Sequence, residues 1–134
     1  MEKYILFDLD NTLLNFSASE ARALEAIYHT FYSEVPYKRF MEAFKRINRY
    51  LWSRLDDGHD NRLIPSEIAL MRFSEINDYF HVAVNPDIIS SQYDAINARH
   101  SEWFRGVDRT IEFLHHQGYT LGIITNGPSN MCRI

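Results

Sequence analysis

Cysteine, lysine and long apolar segments are all scarce in this chain of 134 residues. The single cysteine, Cys132, cannot form a disulfide within the chain, which is typical of proteins from a reducing compartment. No apolar run approaches the length of a membrane span, and we see no targeting leader before the first predicted strand. We therefore expect a cytoplasmic protein that has no membrane partner.

An excess of positive charge is also missing. The chain carries 14 basic and 18 acidic residues, a formal net charge of −4, and its basic residues form no tract. This balance argues against a nucleic-acid polymer as a partner. A small anionic substrate is compatible with it, because a bound metal ion reverses the charge locally. The hydrophobic fraction of 46% is that of an ordinary globular domain with a real core.

Two carboxylates follow an apolar strand near the start of the chain. Residues 4–7 favour β-structure and lead directly to Asp8 and Asp10. Alternate residues of a strand share a face, so both side chains can project into the same space. Such close like charges require a cation or a shared proton between them. Oxygen ligands of this kind suit Mg²⁺, and the pair can divide the roles of nucleophile and general acid/base.

The segment from residue 16 to residue 104 has apolar residues at helical spacing and predicts four amphipathic helices that form a small bundle. The fourth helix is expected to reach Trp103. A capping box at Ser17 and Glu20 marks the start of the first helix, and Pro36 and Gly58 mark the start and end of the second. The third helix begins at Pro65 or Ser66, and the fourth begins at Asn85-Pro86.

A second buried strand is predicted at residues 119–125, after a short helix that ends at Gly118. Without the helical segment the chain is one β-α-β unit, so the two strands should be parallel. The polar turn Thr125-Asn126-Gly127 then lies beside the two aspartates, at the edge where open α/β sheets bind ligands. A hydroxyl and backbone N–H groups in such a turn suit a phosphate oxygen, although alone the pattern is a common turn.

Both strand ends resemble motifs of the haloacid dehalogenase (HAD) superfamily. Asp8-x-Asp10-x-Thr12 resembles the first motif, and Ile123-Ile124-Thr125-Asn126-Gly127 resembles the second. The resemblance implies an α/β fold with a partial HAD-like Rossmannoid core of two parallel strands, formed by residues 1–15 and 105–134. It also implies an inserted four-helix cap domain, formed by residues 16–104.

The resemblance further implies a Mg²⁺-dependent phosphomonoester hydrolase that works through an aspartyl-phosphate. Asp8 would be the nucleophile, and Asp10 would be the general acid and base. The metal would be held by the Asp8 carboxylate and the Asp10 backbone carbonyl. The phosphate-binding residues would be Thr125, Asn126 and Gly127.

The predicted cap is similar to that of the nucleoside 5′-monophosphatase branch, on the residues Asn48-x-x-Leu51-Trp52 and Arg72-Phe73. This implies a nucleotide monophosphate as the small phosphorylated substrate. Trp52 and Phe73 are then candidate contacts to the base, although both also fit a helical core. Two alternatives remain: a 2-haloacid dehalogenase-like hydrolase, which has no need of an acid at Asp10, and a non-catalytic helical binding module.

The chain departs from the HAD pattern after its second motif. The family's third motif supplies a lysine and its fourth supplies acidic metal ligands, both beyond the second strand. The lysines here are Lys3, Lys38 and Lys45, and all of them precede Thr125. We therefore expect an N-terminal portion of a longer protein, inactive or nearly so by itself, that self-associates through exposed strand edges.

Overall fold

A computed structural model describes residues 2–56 and 64–125. It confirms the predicted α/β class with two parallel strands. The expected helix end at Gly58 and the turn residues Asn126 and Gly127 lie outside the described residues. In chain order the elements are β1 (Lys3–Asp8), α1 (Phe16–Phe31), α2 (Tyr37–Asp56), α3 (Pro65–Phe80), α4 (Pro86–Arg99), α5 (Val107–His116) and β2 (Tyr119–Ile124).

The sheet pairs β1 with β2 in parallel. The register runs from Lys3 opposite Tyr119 to Asp8 opposite Ile124. Parallel neighbours cannot be joined by a tight turn, and here the connection includes all five helices. The last of them, α5, packs on β2. The tight turn between them uses Gly118, whose φ of +88° is readily adopted only by glycine.

The first helix begins at a different cap from the one that the sequence predicts. Asn15 is the N-cap residue, and its side-chain oxygen accepts a hydrogen bond from the N–H of Ala18. Ser17 lies inside the first turn, where its N–H and hydroxyl both donate to Asn11 Oδ1. The predicted capping box is therefore wrong, because asparagine caps a helix as well as serine does and comes two residues earlier.

The fourth helix confirms its predicted start and ends earlier than expected. Asn85 accepts from the N–H of Asp87, and Pro86 occupies the first helical position. The helix ends at Arg99, so Trp103 lies in the following connection with 40% of its surface exposed. Trp103 instead forms an isolated antiparallel bridge with Leu14, which places it beside the chain that enters α1.

The main core lies between the helices that the sequence predicts as a bundle. Helix α1 packs against α4, α4 against α3, and α3 against α2. Burial of these apolar side chains is the main favourable free energy of this part of the fold. The largest of the fully buried apolar side chains in this cluster are Tyr32, Tyr93, Phe40, Phe44, Phe73, Ile27, Leu51, Ile68, Ile76 and Ile89.

Two connections link the helices to the sheet, and they lie side by side. The N–H of Asn15 donates to the carbonyl of Glu102 at 2.7 Å, and the N–H of Phe104 donates to the carbonyl of Leu13 at 2.9 Å. An ion pair of 3.1 Å between Arg22 and Glu102 joins α1 to the second connection. The predicted domain boundaries fall at these connections, and the division into core and cap stays a prediction.

The sheet region carries several exposed apolar side chains, including Tyr4, Leu6, Phe113 and Ile124. Self-association through the strand edges stays a prediction. Within residues 2–56 and 64–125, no helix is both long enough and apolar enough to cross a bilayer.

We predict that Tyr32→Phe destabilises the helical core by about 1–3 kcal/mol. The buried Tyr32 hydroxyl donates to Asn77 Oδ1 at 2.5 Å, and Asn77 Nδ2 donates to the carbonyl of Val84 at 2.8 Å. Phenylalanine keeps the stack of this ring on Phe40 and removes only the donor to a buried oxygen. Urea denaturation measures the change.

The matched control for this substitution is Tyr50→Phe, because Tyr50 is exposed on α2. Its free energy of unfolding should change by less than about 0.5 kcal/mol. Equal unfolding midpoints for Tyr32→Phe and the wild type would contradict the energetic role of the buried hydrogen bond.

Candidate active site

The carboxyl ends of β1 and β2 lie at the same edge of the sheet. Asp8 is the last residue of β1 and is paired with Ile124, so Thr125 follows directly after the residue opposite Asp8. Asp8 is exposed, and Asp10 and Thr125 are half-buried. The structure therefore brings residues from opposite ends of the sequence to one edge, as parallel pairing requires.

The segment after β1 folds back as a tight turn that orients Asp8. The N–H groups of Thr12, Leu13 and Leu14 all donate to the carbonyl of Leu9. This turn directs the Thr12 hydroxyl to Asp8 Oδ2 at 2.8 Å. The sequence motif includes Thr12 but predicts no separate role for it. The four-residue spacing between Asp8 and Thr12 is the sequence signal for this hydrogen bond, and the two side chains meet only when the turn is formed.

Asn11 ties this turn to the first helix. Its φ of +57° lies in the left-handed region, which asparagine tolerates better than most residues. In this conformation Asn11 Oδ1 accepts from Ser17 in the first turn of α1. The loop that carries Asp10 is thereby hydrogen-bonded to the start of the helical segment.

The two aspartates experience different environments. Partial burial raises the pKa of Asp10 above its ordinary value, and the neighbouring charge of Asp8 raises it further. Both effects favour the protonated carboxyl at position 10. The exposed Asp8 carboxylate accepts the Thr12 hydrogen bond instead. A pair in which one member favours the acid form is the arrangement that nucleophile and general acid require.

The oxygen atoms at this edge fit a hard divalent cation. Mg²⁺ prefers carboxylate and carbonyl ligands, which Asp8 and the backbone of Asp10 provide. The repulsion that raises the pKa of Asp10 is also what a bound cation would relieve. In the part of the chain that the structure describes, no three His, Cys, Asp or Glu residues cluster closely enough to hold a metal. These two residues can thus supply part of a magnesium coordination shell.

The candidate base contacts Trp52 and Phe73 differ in their surroundings. Phe73 is fully buried, 5.4 Å from the ring of Tyr93 and 6.2 Å from that of Phe44, so the core interpretation holds for it and a substrate cannot reach it. Trp52 is half-buried and lines a cavity on α2. Its indole N–H donates to Asn48 Oδ1 at 3.1 Å. Trp52 remains a candidate contact.

Comparisons with known proteins agree with this geometry. A family model described as haloacid dehalogenase-like hydrolase matches residues 5–133. The chain is 29% identical over 133 residues to YfnB of Bacillus subtilis (strain 168), a protein named as a HAD-hydrolase. The alignment covers 97% of this chain and 54% of YfnB. The chain is 26% identical over 125 residues to the pyrimidine 5′-nucleotidase PynA of Streptococcus pneumoniae (strain ATCC BAA-255 / R6), covering 93% of this chain and 51% of PynA.

Solved structures show the same fold. The crystal structure of YfnB bound to magnesium superposes with a TM-score of 0.79 at 27% identity, over 97% of this chain and 56% of that one. A 2-haloacid dehalogenase from Pseudomonas syringae pv. tomato DC3000 superposes with a TM-score of 0.54 at 22% identity, over 96% of this chain and 57% of that one, which supports the fold alone. The chain spans about half the length of the curated relatives it matches.

The family match extends over nearly the whole chain, including Asp8 at the end of β1, Asp10 just after it and the second strand at the shared edge. The protein therefore belongs to the haloacid dehalogenase-like hydrolases.

Proposed function

We propose that the protein is a Mg²⁺-dependent phosphomonoester hydrolase that acts on a nucleoside 5′-monophosphate through an aspartyl-phosphate on Asp8. The observation that carries this proposal is the register of the sheet. Because Asp8 is opposite Ile124, the Asp8 carboxylate and Thr125 lie at one edge. A phosphoryl group bound by Thr125 would lie within reach of Asp8.

Two relatives support the metal and the substrate class. PynA is named as a pyrimidine 5′-nucleotidase, and YfnB was crystallised with magnesium. Asp10 of this chain is a further reason to propose a phosphatase. A phosphatase must protonate a leaving alkoxide, whereas a dehalogenase releases a halide that needs no proton.

In the first half-reaction, Asp8 attacks phosphorus and displaces the nucleoside oxygen. The Thr12 hydroxyl, which donates to Asp8 Oδ2, holds the carboxylate in one orientation before the substrate binds. Asp10 gives its proton to the leaving oxygen, and its raised pKa favours the acid form that this step needs. The products are the nucleoside and an acyl phosphate on Asp8.

In the second half-reaction, Asp10 takes a proton from a water molecule, which attacks phosphorus. The bond between Asp8 and phosphorus breaks, and inorganic phosphate leaves with the Asp8 carboxylate restored. Asp10 is then protonated again, so the same residue serves as acid and as base. No other proton carrier is needed for the cycle to close.

Binding of the phosphoryl group is assigned to Thr125, Asn126 and Gly127. A hydroxyl and consecutive backbone N–H groups at a strand end suit the phosphate oxygens. Mg²⁺, held by the Asp8 carboxylate and the Asp10 carbonyl, would supply neutralisation of the negative charge on the phosphoryl oxygens. Because the chain spans about half the length of its relatives, the activity is tested on the full-length protein.

We predict that Asp8→Asn lowers phosphate release from nucleoside monophosphates by at least about 10³-fold, since the amide is not a nucleophile for phosphorus. Asp10→Asn should slow both formation and hydrolysis of the acyl phosphate. Phosphate release and trapping of a phosphorylated protein measure the two steps. The control is Asp78→Asn, whose side chain is exposed on α3 and which should keep the wild-type rate. Turnover by Asp8→Asn at the wild-type rate would end the proposal.

Chelation of divalent metal with EDTA should abolish phosphate release, and added Mg²⁺ should restore it. The reason is that the negative phosphoryl oxygens would otherwise approach the Asp8 carboxylate without charge compensation. The measurement is the rate of phosphate release against free Mg²⁺ concentration. A rate that EDTA leaves unchanged would show that the metal has no part in the reaction.

We also predict that Asp10→Asn stabilises the metal-free protein at neutral pH. With its raised pKa, Asp10 binds a proton more tightly in the folded than in the unfolded chain. Its contribution to stability is therefore complete below the unfolded pKa of about 3.9 and is lost as the pH rises through the folded value. Asparagine has no such loss.

The measurement for this prediction is the urea midpoint in EDTA at pH 4 and at pH 7. The advantage of Asp10→Asn over the wild type should be larger at pH 7, whereas the control Asp78→Asn should show no such change. An advantage that is the same at both values would contradict the assigned environment of Asp10.

A further inference from the structure

The first turn of α1 is capped by two asparagines, and one of them lies outside the helix in the loop after β1. Asn15 is the N-cap residue, and its Oδ1 accepts from the N–H of Ala18 at 3.3 Å. Asn11 Oδ1 accepts from the N–H of Ser17 at 3.0 Å and from the Ser17 hydroxyl at 3.2 Å. The first N–H groups of a helix have no partner within the helix, so each acceptor satisfies one of them. The second cap therefore also joins the loop that carries Asp10 to α1.

The side chain of Asn11 is needed for this link, whereas the backbone at this position favours glycine. The φ of Asn11 is +57°, a conformation that glycine adopts at a lower cost than any other residue. Glycine would have no acceptor for Ser17. The backbone N–H of Ser17 can only donate, so the amide orientation of Asn11 is fixed by chemistry. The two hydrogen bonds to Ser17 therefore account for asparagine in a conformation that costs it free energy.

The backbone of Asp10 is held on both of its sides. The N–H of Asn11 donates to the carbonyl of Leu14 at 2.8 Å, and the N–H of Leu14 donates to the carbonyl of Leu9 at 2.9 Å. These two bonds form the parallel bridge between Asp10 and Leu14, and Leu14 bridges in turn to Trp103. Asp10 is thus joined through its two neighbours to the chain segment that enters α1, and the Asn11 side chain adds a tie to the helix itself.

Asp8 is held by other contacts. Its Oδ2 accepts from the Thr12 hydroxyl at 2.8 Å, and its backbone is fixed by the pairing of β1 with β2. Neither contact uses the side chain of Asn11. Loss of that side chain would therefore loosen position 10 and leave position 8 in place, so the two aspartates can be disturbed separately.

We propose that Asn11 is a positioning residue for the general acid, because its hydrogen bonds to Ser17 hold Asp10 where its proton can reach the leaving oxygen. In that step a bond forms between Asp8 and phosphorus, the bond from phosphorus to the leaving oxygen breaks, and this oxygen takes the Asp10 proton. Proton transfer needs the two heavy atoms within about 3 Å of each other, so a small displacement of Asp10 slows it strongly. Asn11 itself takes no part in the chemistry. The inference rests on the proposed function, which gives Asp10 the role of acid.

The leaving group separates the position of Asp10 from the position of Asp8. p-Nitrophenolate leaves without a proton, whereas the alkoxide of a nucleoside 5′-monophosphate needs one. In the full-length protein, Asn11→Gly should lower kcat/KM for the nucleotide at least about tenfold and change kcat/KM for p-nitrophenyl phosphate less than about twofold. Because kcat/KM reports the first half-reaction, the later role of Asp10 as a base does not enter. Equal changes for the two substrates would overturn the assignment.

Further variants show whether Asn11 acts through Ser17. Asn11→Asp keeps the acceptor and should restore most of the wild-type ratio of the two kcat/KM values. Ser17→Ala removes one of the two donors and should lower the ratio less than Asn11→Gly does. Added to Asn11→Gly, it should have no further effect, because the contact is already lost. The matched control is Asn85→Gly, which removes the side-chain acceptor for the N–H of Asp87 at the start of α4 and should keep the wild-type ratio. An equal loss in this control would overturn the assignment.

A measurement without turnover separates this inference from the function on which it rests. The backbone order parameter of Asp10, from ¹⁵N relaxation of the metal-free full-length protein, should fall by at least about 0.1 in Asn11→Gly and stay unchanged in Asn11→Asp. Hydrolysis of both substrates with an unchanged ratio in Asn11→Gly contradicts the positioning role and leaves the function standing. A fall in the order parameter in a protein that hydrolyses neither substrate supports the tether and contradicts the function.

Discussion

Parallel pairing of β1 with β2 is the constraint on which the other features depend. Backbone hydrogen bonds between the strands fix Asp8 opposite Ile124, and a register shift of one residue would turn every side chain of a strand to the opposite face. Because parallel strands need a crossover, the chain between them is free to be long, and here it contains five helices. The pairing therefore determines which residues share the edge, while the inserted helices determine what else surrounds it. This division allows the residues at the edge and those of the inserted helices to change independently.

The sequence was sufficient for the features that follow from local rules. Short apolar runs of β-favouring residues predicted both strands, and the Asn85-Pro86 pair predicted the start of α4. The predicted burial of the strands is wrong, because no residue of β1 or β2 is buried. It was insufficient where two signals of the same kind competed, as when Asn15 and not Ser17 capped α1. Apolar spacing also extended α4 as far as Trp103, although the backbone there bridges to Leu14 instead. A local side-chain cap decided the first case. A tertiary bridge decided the second, and a single sequence contains no direct record of such a contact.

The candidate site also could be predicted only in part from the sequence. The positions of Asp8 and Thr125 could be predicted, because motif and topology both specify them. The contact of Thr12 with Asp8 depends on three N–H groups that converge on one carbonyl, and the contact of Glu20 with Tyr93 joins residues 73 positions apart. Arg72 entered the sequence prediction only as part of the Arg72-Phe73 resemblance, yet it is enclosed by aromatic rings. The role of a buried polar group of this kind depends on its hydrogen-bond partners on other helices.

The paired connections at residues 13–15 and 102–104 restrict how the helices can move. Two adjacent hydrogen-bonded segments cross between the sheet and the helices, with Asn15 bonded to Glu102 and Phe104 bonded to Leu13. A group of helices joined to the sheet at two neighbouring connections can rotate about the line through those connections, and rotation about other axes is restricted. Backbone hydrogen bonds between the crossings prevent them from sliding past each other. Any rigid-body movement of the helices against the sheet would therefore be restricted to rotation about that line.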